Sequence, residues 1–304
     1  MEAFVFPGQG SQFAGMGRDL YEAIPEARAV FEEADKALGF PLSQLCFEGP
    51  DQQLQLTENT QPAILTVSVA LFRALQAHGK RPRLVAGHSL GEYSALVAAG
   101  CLRFSDAVRL VRKRGRFMQQ AVPLGTGAMA AILGLEGPAV REACRQAAQG
   151  EIVEPANYNS AQQIVISGHA AAVERACQAA LQGGARYAKP LKVSAPFHCA
   201  LMKPAQAKLE VELSATEFSD LSVPLVNNAR AQVVQTGEEA RQGLIEQVSS
   251  AVLWAQSVEA MSEQGVTRFV EIGPGKVLTG LIKRIARQAQ RISIFDCKQL
   301  EAYV

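Results

Sequence analysis

Short apolar runs closed by glycine recur along the chain. Phe4-Val5-Phe6 stops at Pro7-Gly8, Leu84-Val85-Ala86 runs into Gly87, and Phe269-Val270-Glu271-Ile272 ends at Gly273-Pro274-Gly275. Each reads as a buried strand feeding a tight turn. Between them the apolar period changes. Leu20, Ile24, Ala27, Val30, Phe31, Ala34 and Leu38 recur near every 3.6 residues, which predicts a helix over about 17–38 stopped by Gly39. Pro25 lies inside that pattern and predicts a break, because an interior proline lacks a backbone N–H and crowds the preceding turn. An apolar helix is expected over 63–77 with Pro62 in its first turn. Further helices are expected over 93–99 and 107–120, the second capped by Ser105 and Asp106.

After Pro123-Leu124-Gly125-Thr126-Gly127, a loop by composition, the pattern changes. Segments 128–133, 152–157, 163–167 and 186–191 read as strands, and 139–148 and 170–181 as helices. The order β-α-β-β-α-β is the ferredoxin-like signature, held in about 70 residues. After Pro196 the larger pattern resumes. Helices are expected over 200–213, 238–248, 257–265 and 276–289, and strands over 224–227, 269–272 and 292–294. Strands alternating with helices predict an α/β fold with a mostly parallel sheet. Residues 127–194 then form a small inserted subdomain. Residues 1–126 and 195–304 form the two parts of the large one.

Composition narrows the function. Among 304 residues, Lys plus Arg is 30 and Asp plus Glu is 29, a net charge of +1. That balance argues against a nucleic-acid binder with a basic surface throughout. Hydrophobic residues at 48% and charged residues at 19% describe a globular chain. No apolar run approaches the roughly 20 residues of a membrane span. The opening MEAFVFPGQG lacks a basic stretch followed by a long apolar one, so no secretory signal is read there, and a cytoplasmic location is expected. Cys46, Cys101, Cys144, Cys177, Cys199 and Cys297 form no C-x-x-C pair, and the four histidines are scattered. Reduced, packed thiols and no metal site are expected.

The sharpest local signal is Gly87-His88-Ser89-Leu90-Gly91, a G-x-S-x-G between a strand and a helix. A tight turn there pushes a serine hydroxyl out at the carboxyl edge of a sheet. The helix behind it supplies N–H groups and a positive dipole end that can hold an oxyanion. The bland alternative is a turn whose serine caps the helix. As a nucleophile Ser89 needs a base, and histidine serves near neutral pH. His88 adjoins it and points elsewhere, His78 sits at a helix end, and His169 opens a helix of the insert. His198 lies where the chain returns from the insert, at a domain junction where a cleft is expected. Position favours His198 without excluding the others.

Four motifs occur together and in order: Phe6-Pro7-Gly8-Gln9-Gly10-Ser11-Gln12, Gly87-His88-Ser89-Leu90-Gly91-Glu92-Tyr93-Ser94-Ala95, Ser194-Ala195-Pro196-Phe197-His198 and Glu271-Ile272-Gly273-Pro274-Gly275-Lys276. Over essentially its whole length the chain resembles the malonyl-CoA:acyl-carrier-protein transacylases of fatty acid synthesis and the acyltransferases of polyketide synthases. The resemblance implies an α/β-hydrolase-like large domain with a ferredoxin-like insert. It implies a ping-pong transfer from malonyl-CoA through an acyl-serine to the phosphopantetheine thiol of an acyl carrier protein, with no cofactor. It further implies Ser89 as nucleophile, His198 as base, and an oxyanion hole of the Leu90 and Gln9 N–H groups. A backbone carbonyl at or near Gln247 would orient the imidazole, although Ala251-Val252-Leu253-Trp254 lacks the proline that commonly precedes the valine.

Arg114 matches the position that binds the substrate carboxylate, and a guanidinium fork suits that task better than a lysine. Without the resemblance, Arg114 reads as one of several basic residues on a solvated helix face. Phe197 is similar to the phenylalanine that malonyl-selective enzymes of the polyketide branch carry there, where methylmalonyl-selective ones usually have a serine. The resemblance thus implies malonyl and leans toward a polyketide setting, and a phenyl ring would crowd an α-methyl group. The carrier, being acidic, calls for a basic rim. Arg186, Lys189 and Lys192 supply one candidate set, and Lys283, Arg284 and Arg287 another. Two rivals remain: a hydrolase on the same scaffold, in which water resolves the acyl-serine, and a non-catalytic module that only docks a carrier.

Overall fold

The computed structural model describes residues 1–191, 193 and 195–304; Lys192 and Ser194 lie outside the described residues. The strands are β1 (Glu2–Phe6), β2 (Leu84–Gly87), β3 (Gly127–Leu133), β4 (Val153–Ser160), β5 (Gln163–His169), β6 (Tyr187–Pro190), β7 (Leu225–Val226), β8 (Val233–Val234), β9 (Arg268–Ile272) and β10 (Gln290–Ile294). They form two sheets, ordered β10-β9-β1-β2-β7-β8 and β4-β5-β3-β6. In the first, β10, β9, β1, β2 and β7 run parallel and only the short β8 is antiparallel. The second is antiparallel throughout.

The apolar runs are buried strands because both faces of the first sheet are covered. Side chains alternate along a strand. Phe4 and Phe6 of β1 enter one core with the helices Pro25–Leu38, Thr57–Ala77 and Phe104–Gln120. Ala3 and Val5 enter a second core with Trp254, Val258 and Ile282. The same alternation makes β3 a seam. Ala130 and Ile132 pack with the helices Gly137–Ala148 and Ala170–Gln182, while Met129 and Ala131 join the main core. The opposite edge is tied down at β4, where Tyr158 N–H donates to Val252 O at 2.9 Å and Val252 N–H to Ala156 O at 2.9 Å.

Several elements differ from expectation. The helix Thr57–Ala77 starts among polar residues that hide it, so Pro62 lies inside it and not in its first turn. The helix Phe104–Gln120 follows Arg103 and no side chain caps it; Ser105 and Asp106 fall within its first turn, where Asp106 meets the dipole favourably. The 276–289 segment is helical only over Val277–Ile285. Leu42–Glu48, Asp51–Leu54 and Cys297–Tyr303 are short helices without a readable period, and β8 is a two-residue edge. Pro25 does break its helix, opening Pro25–Leu38 just after Arg18–Ala23. No helix among the described residues is long and apolar enough to cross a membrane.

Candidate active site

Parallel strands point their carboxyl ends the same way, and the site lies at the ends of β1 and β2. The turn from β2 into the helix Gly91–Ala98 holds Ser89 at φ +51°, the left-handed region that residues with a Cβ seldom adopt. Glycine at both ends makes this turn possible. A Cβ on Gly91 would strike the Phe6 and Pro7 carbonyls, and one on Gly87 would strike Gly91 itself. A Cβ on Gly8 would strike the His88 carbonyl, so the Pro7-Gly8-Gln9-Gly10 loop lies directly against the serine turn.

Of the four histidines, His198 is the one that reaches Ser89. Its Nε2 lies 2.7 Å from Ser89 Oγ, and its Nδ1 lies 2.8 Å from the Gln247 backbone oxygen. A carbonyl only accepts, so Nδ1 carries the proton and Nε2 is free to receive the serine's. The backbone oxygen that His198 Nδ1 faces is thus that of Gln247. His198 is 4% exposed and also sits at positive φ, +59°. Burial, then the nearby Arg114 charge, push its imidazole down to about 3, so it is neutral at physiological pH.

Arg114 is not on a solvated face. It is 1% exposed and turned inward beneath Ser89. Its Nη2 donates to Ser89 Oγ at 3.1 Å and to Gln247 Oε1 at 2.9 Å, and its Nη1 donates to Gln61 Oε1 at 2.8 Å. Its guanidinium stands over the Tyr93 ring, 5.6 Å from the centroid. Burial lowers its pKa from the ordinary arginine value.

Sequence reasoning passed over the frame around these groups. Asn228 is fully buried; its Oδ1 accepts the Ser89 N–H at 2.6 Å and its Nδ2 donates to Gly87 O at 2.6 Å. Glu92 Oε2 accepts from Asn228 N at 2.9 Å and from Gln247 Nε2 at 2.8 Å. Burial raises the Glu92 carboxyl to about 7. Gln247 Nε2 also donates to Ser89 O at 3.0 Å. Gln61 and Glu92 were detectable as polar residues inside otherwise apolar helical stretches, whereas Asn228 follows a strand and carries no such mark. His88 belongs to the cleft wall: its Nε2 lies 2.9 Å from Asn159 Oδ1, and its ring tilts against Trp254.

Gln9, Gln61, Ser89, Leu90, Arg114, Phe197 and His198 line one cavity, together with Met118, Met129, Asn157, Leu191 and Val193. Within the described residues neither the Gln9 nor the Leu90 N–H has a hydrogen-bond acceptor. Phe197 is 8% exposed in that wall. Glu271 stands apart as a cap: its carboxylate accepts from Leu278 N, Thr279 N and Thr279 Oγ1 at 2.7–2.9 Å. Of the basic residues, Arg186 and Lys189 are exposed at the β6 edge. Lys283, Arg284 and Arg287 are exposed near the other edge, where Arg284 Nη1 donates to Gln163 Oε1 at 2.8 Å. Lys192, of the first set, falls outside the described residues. Among the described residues no cluster of three His, Cys, Asp or Glu could hold a metal, and the six cysteines are unpaired.

The sequence matches the acyl transferase domain family over residues 3–297. It is 55% identical over 284 residues to the malonyl CoA-acyl carrier protein transacylase of Escherichia coli O157:H7, covering 93% of this chain and 92% of the relative. The fold is similar to an acyl carrier protein S-malonyltransferase from Vibrio cholerae O1 biovar eltor str. N16961 (TM-score 0.98, 48% identity, 100% and 99% of the two chains). It is likewise similar to a malonyl-transacylase solved in complex with its type II PKS acyl-carrier protein (TM-score 0.97, 49% identity, 99% and 98%).

Proposed function

The chain belongs to the acyl transferase domain family, and on that premise we propose that it carries malonyl groups from malonyl-CoA to the phosphopantetheine thiol of an acyl carrier protein. The observation that carries this reading is the Ser89 Oγ–His198 Nε2 contact of 2.7 Å with the Arg114 Nη2 only 3.1 Å from the same oxygen. A nucleophile, its base and a carboxylate receptor meet in one cavity.

Ser89 Oγ attacks the thioester carbonyl and its proton passes to His198 Nε2. The Gln247 carbonyl keeps that ring in the accepting tautomer and stabilises the imidazolium. The carbonyl oxygen becomes an oxyanion facing the Gln9 and Leu90 N–H groups. The C–S bond breaks, His198 returns the proton to the sulfur of CoA, and malonyl-Ser89 remains. A carrier thiol repeats the steps in reverse: His198 takes its proton, sulfur attacks the ester, and Ser89 Oγ leaves and is reprotonated. Arg114 pairs with the free malonyl carboxylate throughout. Phe197, in the cavity wall, disfavours α-branched acyl groups. These steps require no resident cofactor.

The strand order β4-β5-β3-β6 supports a ferredoxin-like subdomain over 127–194. It would be inserted in an α/β-hydrolase-like one made of 1–126 and 195–304. The exposed basic residues at either edge of the small sheet are the candidate docking sites for an acidic carrier.

The test is a covalent adduct. Wild type mixed with malonyl-CoA should gain the mass of one malonyl group, lose it on adding carrier protein, and fail to gain it as Ser89→Ala. Arg114→Ala should cut malonyl transfer steeply and spare acetyl transfer. CoA release that is indifferent to carrier, and faster from acetyl-CoA than from malonyl-CoA, would indicate a hydrolase and overturn the proposal.

A further inference from the structure

The hydrogen-bond inventory of Arg114 raises a question about selectivity, resting on the reading of Arg114 as the carboxylate receptor. A guanidinium has five N–H donors. The two on Nη2 are both committed, one to Gln247 Oε1 and one to Ser89 Oγ. One on Nη1 is committed to Gln61 Oε1, and among the described residues Nε has no hydrogen-bond partner. Among the described residues the acceptors that the cation meets at hydrogen-bond range are neutral: two glutamine amides and the nucleophile itself.

A carboxylate is bound bidentately through either of two guanidinium edges, Nη1/Nη2 or Nε/Nη2. Both edges include Nη2. A bidentate carboxylate therefore has to take over an Nη2 hydrogen already in use. Gln247 is the harder partner to displace. It is fully buried, and its amide is held from the other side by Glu92 Oε2 and Ser89 O. Ser89 Oγ opens directly onto the cavity, with no such second restraint on its acceptor side.

We propose that Arg114 masks Ser89 in the resting enzyme, and that the substrate's own carboxylate lifts the mask by withdrawing the Nη2 hydrogen from Ser89 Oγ. Masking has two physical parts. The hydrogen bond occupies a lone pair of the oxygen that must attack. The unpaired charge also opposes the proton transfer, because an imidazolium at His198 would form beside a guanidinium in a desolvated site. The groups acting on His198 are Arg114 from Phe104–Gln120, His88 from the serine turn, and the backbone at Gln247 and Ser250; burial and Arg114 both keep His198 a weak base. A bound carboxylate neutralises the cation and relieves both effects. Acyl groups without a carboxylate are then disfavoured twice, by weaker binding and by an enzyme left masked.

The experiment divides malonyl into its two halves. Acetyl-CoA is supplied as a neutral acyl donor and formate as a free carboxylate, with ionic strength held constant by chloride. Formation of acetyl-Ser89 is followed by rapid quench and intact mass. Formate should speed acetylation of wild type by about threefold or more, a fraction of the roughly tenfold that one charge-assisted hydrogen bond is worth. Arg114→Met should acetylate faster than wild type and ignore formate. Formate that slows acetylation, or leaves it unchanged, overturns the mask. Should Arg114→Met fail to fold, the wild-type response still decides.

The same formate series run with malonyl-CoA separates this inference from the one beneath it. Competition that raises KM for malonyl-CoA upholds Arg114 as the carboxylate receptor even if acetylation shows no gain. Absence of competition would remove that reading and the mask together.

Discussion

Replacing Asn228 with alanine should dismantle the serine turn without changing any residue of the Ser89–His198–Gln247 chain. Asn228 is fully buried and bridges the turn, accepting the Ser89 N–H and donating to the Gly87 carbonyl, both at 2.6 Å. Alanine leaves these two backbone groups without partners. A buried group so orphaned costs about 1–3 kcal/mol, so the loss is about 2–6 kcal/mol of folding stability. For a chain of this size each kcal/mol is worth on the order of 2 °C in Tm, which gives a fall of about 4–12 °C. The kinetic loss is separate. Ser89 is held at φ +51°, and without its clamp the turn relaxes and the hydroxyl leaves His198. A displacement near 1 Å costs about 100-fold in rate. Thermal melts and rapid-quench malonylation measure the two effects. Asn228→Asp supplies an internal control: it keeps the acceptor for Ser89 N–H but offers Gly87 O a hydrogen only when protonated. Its activity relative to wild type should therefore rise as pH falls. An Asn228→Ala enzyme within about threefold of wild type in rate, with Tm within about 2 °C, would refute the clamp.

Two further outcomes follow from the same frame. Glu92, normally near 4.5, is raised to about 7 by burial, so the folded state holds its proton more tightly than the unfolded state. The stability it contributes is full below pH 4.5 and is lost as pH rises through about 7, on the order of 3 kcal/mol in all. Glu92→Gln should therefore match wild type near pH 4.5 and exceed it at pH 8 in urea unfolding; an equal difference at both pH values would contradict this. Gly91→Ala should cost about 3 kcal/mol and most of the activity, because its Cβ meets the Phe6 and Pro7 carbonyls; a wild-type melt would show that the two turns are not locked together.

Local signals were enough where chemistry is tied to a contiguous motif. The strand–Gly–x–Ser–x–Gly–helix run specifies the Ser89 turn, because that turn is set by residues within one another's reach. The short parallel strands β1, β2 and β9 were equally plain, since covering both sheet faces makes their runs mostly apolar, with Glu271 of β9 the buried exception. Elements without a period were not: Asp51–Leu54 and β8 are shaped by what packs on them, and the polar start of Thr57–Ala77 looked like loop.

By itself, the sequence determined the α/β alternation, the β-α-β-β-α-β order from β3 to β6, and the Ser89 turn with its glycine flanks. The family resemblance added His198, Arg114 and the Gln247 carbonyl. Only the tertiary structure decided that Arg114 is 1% exposed instead of lying on a solvated face, although its helix carries Arg112, Lys113 and Arg116 beside it. Helical period orients a residue relative to its own helix, whereas burial depends on what the rest of the chain lays over it. Asn228 and Glu92 show the same limit. Asn228 lies 139 residues from the N–H it holds, and no spacing rule spans that distance. The partners of a buried polar group are settled when distant strands and helices close over it, because only then must each donor and acceptor find its bond within the protein.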